Sequence, residues 1–168
     1  MEETISEVDN EDNIIGEKPK PYFEDPKHRH RSSHLLIFNR KGEILIQKRS
    51  KQKKKYPGLW DWSMSGTVRA GETYEQTLER EMQEELGIIV RYNRLFKYSY
   101  ADDIDNANKT VYAAEYEGRF ELQKEEVDEV RWVSAEELAE WMKQRPQDFC
   151  APFLKGIKIY LRKISKHY

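Results

Sequence analysis

Between Gly66 and Ile88 the chain reads GTVRAGETYEQTLEREMQEELGI, with Gly66, Glu72, Arg80, Glu81, Met82, Glu84, Glu85, Gly87 and Ile88 at fixed intervals. Thr73 and Gln76 form the S/T-x-x-E/Q pair in which each side chain satisfies an amide of the first turn, so a helix is expected to begin here. Along it Glu81, Glu84 and Glu85 fall at i, i+3 and i+4, crowding one face beside an apolar stripe of Leu78, Met82 and Leu86. Like charges this close repel. Arg80, one turn before Glu84, is one source of compensation, and a divalent cation is the other. A ligand set of oxygens, with no Cys or His, suits Mg²⁺ or Mn²⁺ rather than zinc. The preceding glycine-rich loop, Gly66 to Gly71, lets the backbone approach an anion or ion closely, and Gly87 fits a helix C-terminus. An isolated E-x-x-E-E would default to a solvated acidic face, but the complete spacing argues against that default here.

That spacing resembles the signature of the Nudix hydrolase superfamily. The resemblance implies an α/β fold, an α/β/α sandwich around a mixed β-sheet. It also implies an enzyme that cleaves a diphosphate linkage in a small molecule, often a nucleoside diphosphate derivative, by water attack on phosphorus with Mg²⁺ or Mn²⁺. Carried over position by position, it makes Glu81 and Glu85 the principal metal ligands, with Glu84 and the backbone carbonyl of Ser65 as further ones. Arg80 would hold the loop by pairing with Glu72, and Gly66 and Gly87 would be structural. The catalytic base is left open among Glu81, Glu84 and a downstream acid, where Glu125 and Glu126 precede the segment EVRWV.

The stretches VDNEDNIIGEKP, LIFNRKGEILIQKRS and YPGLWDWSMSG are similar to the Nudix branch that contains isopentenyl-diphosphate isomerases. The isomerase machinery carries over poorly. Ser65 stands at the place of the catalytic Cys and Thr67 at that of a metal-binding His. His30 matches one histidine ligand, and the two downstream carboxylate positions fall on Asp105 and Ala107. A serine hydroxyl is too weakly acidic to replace a thiol in protonating an alkene. Hydrolysis is therefore expected, with the Ser65 hydroxyl dispensable. An isomerase-like activity is the alternative, and a non-catalytic nucleotide-binding module a second one.

A chain of 168 residues is long enough for one domain with a real core. Residues 1–168 are read as a single domain, with a hairpin over about 5–18, the motif at 66–88 and C-terminal helices over about 134–165. A net charge of −2 gives no support to general nucleic-acid binding. The single cysteine, Cys150, has no internal disulfide partner, and the acidic start lacks the features of a signal peptide. With no long apolar run, a cytoplasmic protein is expected, possible homodimerisation included. SHLLIFN and EILIQKR read as a hairpin around Arg40-Lys41-Gly42. LWDWSMSGTV, IIVRYNRLFKYSY, TVYAAEYEG and EVRWV read as further strands, with DDIDNAN as an acidic turn. Ser134 with Glu137 suggests a capping box for a helix through Lys143, and APFLKGIKIYLRKI a final amphipathic helix.

Beyond the motif, Lys48 and Arg49 alternate in facing at the end of a strand. Arg49 is the candidate to grip a diphosphate by a bidentate contact. Lysines 51, 53, 54 and 55 read as a solvated basic loop. Trp60 and Trp62 share a face and can either stack on a substrate ring or fill the core. His28, His30 and His34 read as a solvated turn, with metal binding as the sharper alternative.

Overall fold

The computed structural model describes residues 2–165. Its N-terminal hairpin pairs β1 (Thr4–Val8) with β2 (Ile14–Pro19). The main sheet has seven strands, β3 (His30–Phe38), β4 (Ile44–Arg49), β5 (Trp60–Asp61), β6 (Met64–Thr67), β7 (Asn93–Ala101), β8 (Asn106–Glu115) and β9 (Val127–Val133). They run in the order β5-β4-β3-β8-β7, with β6 paired to β3 and β9 to β4. The central β3–β8 ladder is parallel, from His30 opposite Ala107 to Phe38 opposite Glu115, and the other pairings are antiparallel, so the sheet is mixed.

Strand alternation divides the core in two. Leu35, Ile37 and Leu45 face one side, where Tyr74 and Leu78 of α1 (Tyr74–Glu81) pack with Met82 and Leu86 of the following turn. Leu36, Ile44 and Ile46 face the other, against Leu138 and Met142 of α2 (Ala135–Gln144) and Phe153 and Ile157 of α3 (Ala151–Ser165). Each buried side chain of this kind contributes roughly 1.5–3 kcal/mol, so burying the two faces of the sheet sets the three-layer α/β/α sandwich. Among the described residues, no helix is long and apolar enough to cross a membrane.

Local chemistry moves several boundaries from their expected places. β7 starts only at Asn93, because Ile88 drops into the core beneath α1 while Ile89 is exposed. β8 starts at Asn106, inside the segment read as a turn. The Asp102 carboxylate accepts from the amides of Ile104 and Asp105 at 2.7 and 2.8 Å and so completes the reversal before Asn106. Ser134 caps α2 by accepting from the Glu137 amide at 3.0 Å, a simple cap in place of the reciprocal box. Thr73 and Gln76 do form the reciprocal box at α1. The motif helix is not uniform: after Glu81 the chain makes a π-helical turn, Met82–Leu86, that ends at Gly87 in the left-handed region with φ +66°.

Candidate functional site

The loop between β6 and α1 is organised around Glu72. Its carboxylate accepts from Arg80 at 2.8 and 3.0 Å, from the Thr77 hydroxyl at 2.7 Å and from the Arg69 amide at 3.2 Å. Burial alone would raise the Glu72 pKa, but these donors, Arg80 foremost, bring it down to about 2. Gly66 lies where the Glu81 side chain crosses the strand: a Cβ there would stand 2.3 Å from Glu81 Cγ and 2.8 Å from Cδ. The absence of a side chain at 66 therefore lets Glu81 reach the cleft.

The cleft itself has a volume of about 370 Å³, and Glu81, Glu84, Glu85 and Glu126 are among the residues that border it. The π-helical turn separates the three motif acids that a straight helix would keep together. Glu85 turns inward and is buried, whereas the Glu84 side chain is about half exposed at the rim, 3.3 Å from Arg80. Arg80 also donates to Glu81 at 2.8 Å. Among the described residues, no three acidic, imidazole or thiol groups already stand around a common point. All three motif acids border the cleft, with Glu85 buried, Glu81 half-buried and Glu84 at the rim. Burial, followed by repulsion from Glu81 and Glu126, holds the Glu85 carboxyl well above the usual carboxylate range, with only partial relief from Lys53 and Arg49. Burial likewise raises Glu81, against the pull of Arg80. Glu85 Oε2 is buried with no hydrogen-bond partner. An orphaned oxygen among repelling carboxylates and other hard oxygens is an environment that a divalent cation fits.

Cations border the same cleft. Arg49, re-aimed by a bulge between Lys48 and Arg49, donates to the Lys55 carbonyl at 3.0 Å and lies 3.4 Å from Asp61. Lys48 points away, over the Trp60 ring. The reading of the 51–55 lysines as solvent-facing needs correction. Lys53 and Lys55 border the cleft, Lys53 paired with Glu126 and Lys55 3.6 Å from Asp105, while Lys54 stays exposed on Glu24. A charge run in a sequence carries no facing information, and only the acids that these two meet could have located them.

The cleft is also lined by a buried polar group in which Ser32, Asp61 and Lys109, which the sequence did not single out, join Asp105, His30 and His34. Lys109 binds Asp105 at 2.8 Å, and His30 lies 3.8 Å from the same carboxylate. Burial, reinforced by Lys109, depresses both imidazoles, His30 to about 4 and His34 well below its usual value. His28 is elsewhere, bonded to Glu7 at 2.8 Å and packed on Tyr22. The three histidines therefore form neither the solvated turn nor a shared metal site. The tryptophans do share a side, and it is the core side. Trp60 is buried against Trp141 and Phe149, which leaves no open ring face for a substrate. Trp62 borders the cleft but is fully buried between Phe153, Tyr98 and His34.

The NUDIX domain model matches residues 28–151. A prenyl-diphosphate phosphatase of Methanosarcina mazei is 36% identical over 97% of this chain and 98% of its own length. An uncharacterised Nudix hydrolase of Pseudomonas aeruginosa is 32% identical over 95% and 94%. A Deinococcus radiodurans crystal structure superposes with a TM-score of 0.73 at 22% identity, covering 84% of this chain and 90% of that one, which shows a common fold. With the match spanning the motif loop, both faces of the sheet and the cleft acids, the chain belongs to the Nudix family and is a Nudix hydrolase, an enzyme that opens diphosphate linkages.

Proposed function

We propose that this hydrolase depends on Mg²⁺ or Mn²⁺ and cleaves a small-molecule diphosphate, with a prenyl diphosphate as the first candidate and a nucleoside diphosphate derivative as the second. The observation that carries the reading is Glu85, a buried carboxylate with an unpartnered oxygen, at a cleft that Arg49, Lys53 and Lys55 also line. Glu81 and Glu85 would hold the cation, with Glu84 from the rim and the Ser65 carbonyl as further oxygens. When bound, it supplies positive charge to the phosphate oxygens and acidifies the attacking water.

The chain's own residues do the rest. Arg49, Lys53 and Lys55 take the diphosphate oxygens. Arg80 keeps Glu72 and Glu81 in place. Glu126, whose carboxylate borders the cleft beside Lys53, is the proposed base, with Glu81 and Glu84 as the other holders of that role. The prenyl preference is supported by the Methanosarcina mazei relative, matched over nearly its whole length. We take residues 1–168 as one domain in a cytoplasmic setting, and Ile14 and Ile15, exposed on β2, support a homodimer.

A panel of prenyl and nucleoside diphosphates with Mg²⁺ or Mn²⁺, scoring phosphate release and double-bond isomers, tests the reading. Glu85→Gln should lower turnover at least ~100-fold. Full activity in that variant, or isomer formation without phosphate release, would reject it.

A further inference from the structure

Five polar side chains run in sequence across the cleft floor. Lys109 Nζ lies 3.4 Å from Ser32 Oγ, Ser32 Oγ 2.8 Å from His34 Nε2, and His34 Nδ1 2.9 Å from Ser65 Oγ; Ser65 Oγ then lies 3.5 Å from Asp61 Oδ2. Lys109, Ser32, His34 and Asp61 are all buried, and Ser65, fourth in the series, is partly exposed and borders the open cleft.

The series has a direction, set by which groups can give a proton. An ammonium only donates, so Lys109 gives its hydrogen bond to Ser32 Oγ. Among the described residues, the one acceptor within reach of the Ser32 hydroxyl proton is His34 Nε2. A ring nitrogen that accepts carries no proton, so with Nε2 accepting from Ser32 the imidazole proton sits on Nδ1 and is given to Ser65 Oγ. Ser65 already accepts from His34, so its own proton is turned outward, where Asp61 takes it at the outer limit of hydrogen-bond distance. Reversing the series would strand the buried Ser32 proton without an acceptor, a state that folded proteins avoid.

We propose that the Ser65 hydroxyl donates a hydrogen bond to a phosphate oxygen of the diphosphate substrate, and that Lys109, Ser32 and His34 are positioning residues that hold its proton toward the cleft. The proposal rests on the diphosphatase reading above and gives Ser65 a side-chain role where the family resemblance implied only a carbonyl. No covalent bond forms or breaks at Ser65: its proton exchanges a long contact to Asp61 for a short charge-assisted one to a phosphate oxygen.

Two measurements test it. Nitrogen-15 NMR of the histidine-labelled wild-type protein reads the His34 tautomer directly and needs no variant to fold: Nδ1–H is expected, and Nε2–H would overturn the assignment. In kinetics, Ser65→Ala should lower kcat/KM about 10- to 100-fold, and adding His34→Gln should cost little more, because His34 acts through Ser65. Unchanged kinetics in Ser65→Ala, or fully additive losses in the double variant, would overturn it. If the wild type turned over no diphosphate, the hydrolase reading would fail separately. Calorimetric binding of inorganic diphosphate would then decide this proposal, weakened in Ser65→Ala if it holds and equal to wild type if it does not.

Discussion

At the scale of single residues, the two glutamates that the motif makes most conspicuous act on stability in opposite senses. Glu72 is held as an anion, with its pKa brought to about 2 by Arg80, Thr77 and the Arg69 amide against the penalty of burial. Its contribution is present above the unfolded value near 4.5 and is lost as pH falls through about 2. Glu72→Gln should therefore destabilise by roughly 1–3 kcal/mol at pH 7, with the gap to wild type closing in acid melts. Glu85 has the reverse sign. Its raised pKa favours the folded state below the unfolded value, and that advantage disappears as pH rises through the folded one. In EDTA, Glu85→Gln should melt above wild type at pH 8 and by a smaller margin at pH 5, while losing turnover. A wild type equal or superior in the pH 8 melt would contradict the buried-charge account. The pairing of Arg80 with Glu72 was legible through the family resemblance that the motif carries. The places of Lys53, Lys55 and Lys109 were not, since their facing depends on chain segments distant in sequence. Trp60 shows the same limit: alternation pairs it with Trp62 on one side but cannot say whether that side is cleft or core.

At the scale of elements, the π-helical turn after Glu81 decides which acids share the interior. The sequence announced both ends of this helix, at Thr73 and Gly87, but the i, i+3, i+4 spacing of Glu81, Glu84 and Glu85 assumed a regular pitch. What stabilises the wider turn lies elsewhere in the chain. The amides of Glu121 and Gln123 bond the carbonyls of Leu86 and Glu85 at 2.9 and 3.1 Å, and the same segment then carries Glu126 to the cleft. Gly87 is where the two segments meet: besides its positive φ, a Cβ there would lie 2.8 Å from Glu121 Cβ. Gly87→Ala should lower stability by about 1–2 kcal/mol or more, seen as a reduced urea midpoint at unchanged slope. Because it displaces the segment bearing Glu126, turnover should fall as well. An unaltered midpoint would mean that the segment moves aside freely. The strands β3 and β4 were legible from the apolar runs that flank the turn Arg40-Lys41-Gly42. The early start of β8 was not, because a single carboxylate, Asp102, tightens the turn before it.

At the scale of the whole molecule, the N-terminal hairpin forms one wall of the cleft through Glu3 and Lys20, and it is fixed to the sandwich at its tip. Asp12, in the left-handed region at φ +67°, accepts from Arg31 at 2.9 Å, from the Tyr74 hydroxyl at 3.0 Å and from Asn108 at 3.0 Å. Asp12→Ala should cost about 1–3 kcal/mol, speed amide exchange across β1 and β2, and raise KM more than it lowers kcat. Unchanged exchange would show that the bridge between Ile5 and Arg69 suffices to hold the hairpin. The hairpin was readable from its turn residues, whereas its anchoring needed partners some twenty to a hundred positions away. The cleft borrows from almost the entire chain, its borders running from Glu3 to Pro152. A polypeptide leaving the ribosome therefore remains inert until that proline has emerged, and a cut in any connecting segment, followed by separation of the pieces, leaves no fragment with the complete reaction chamber.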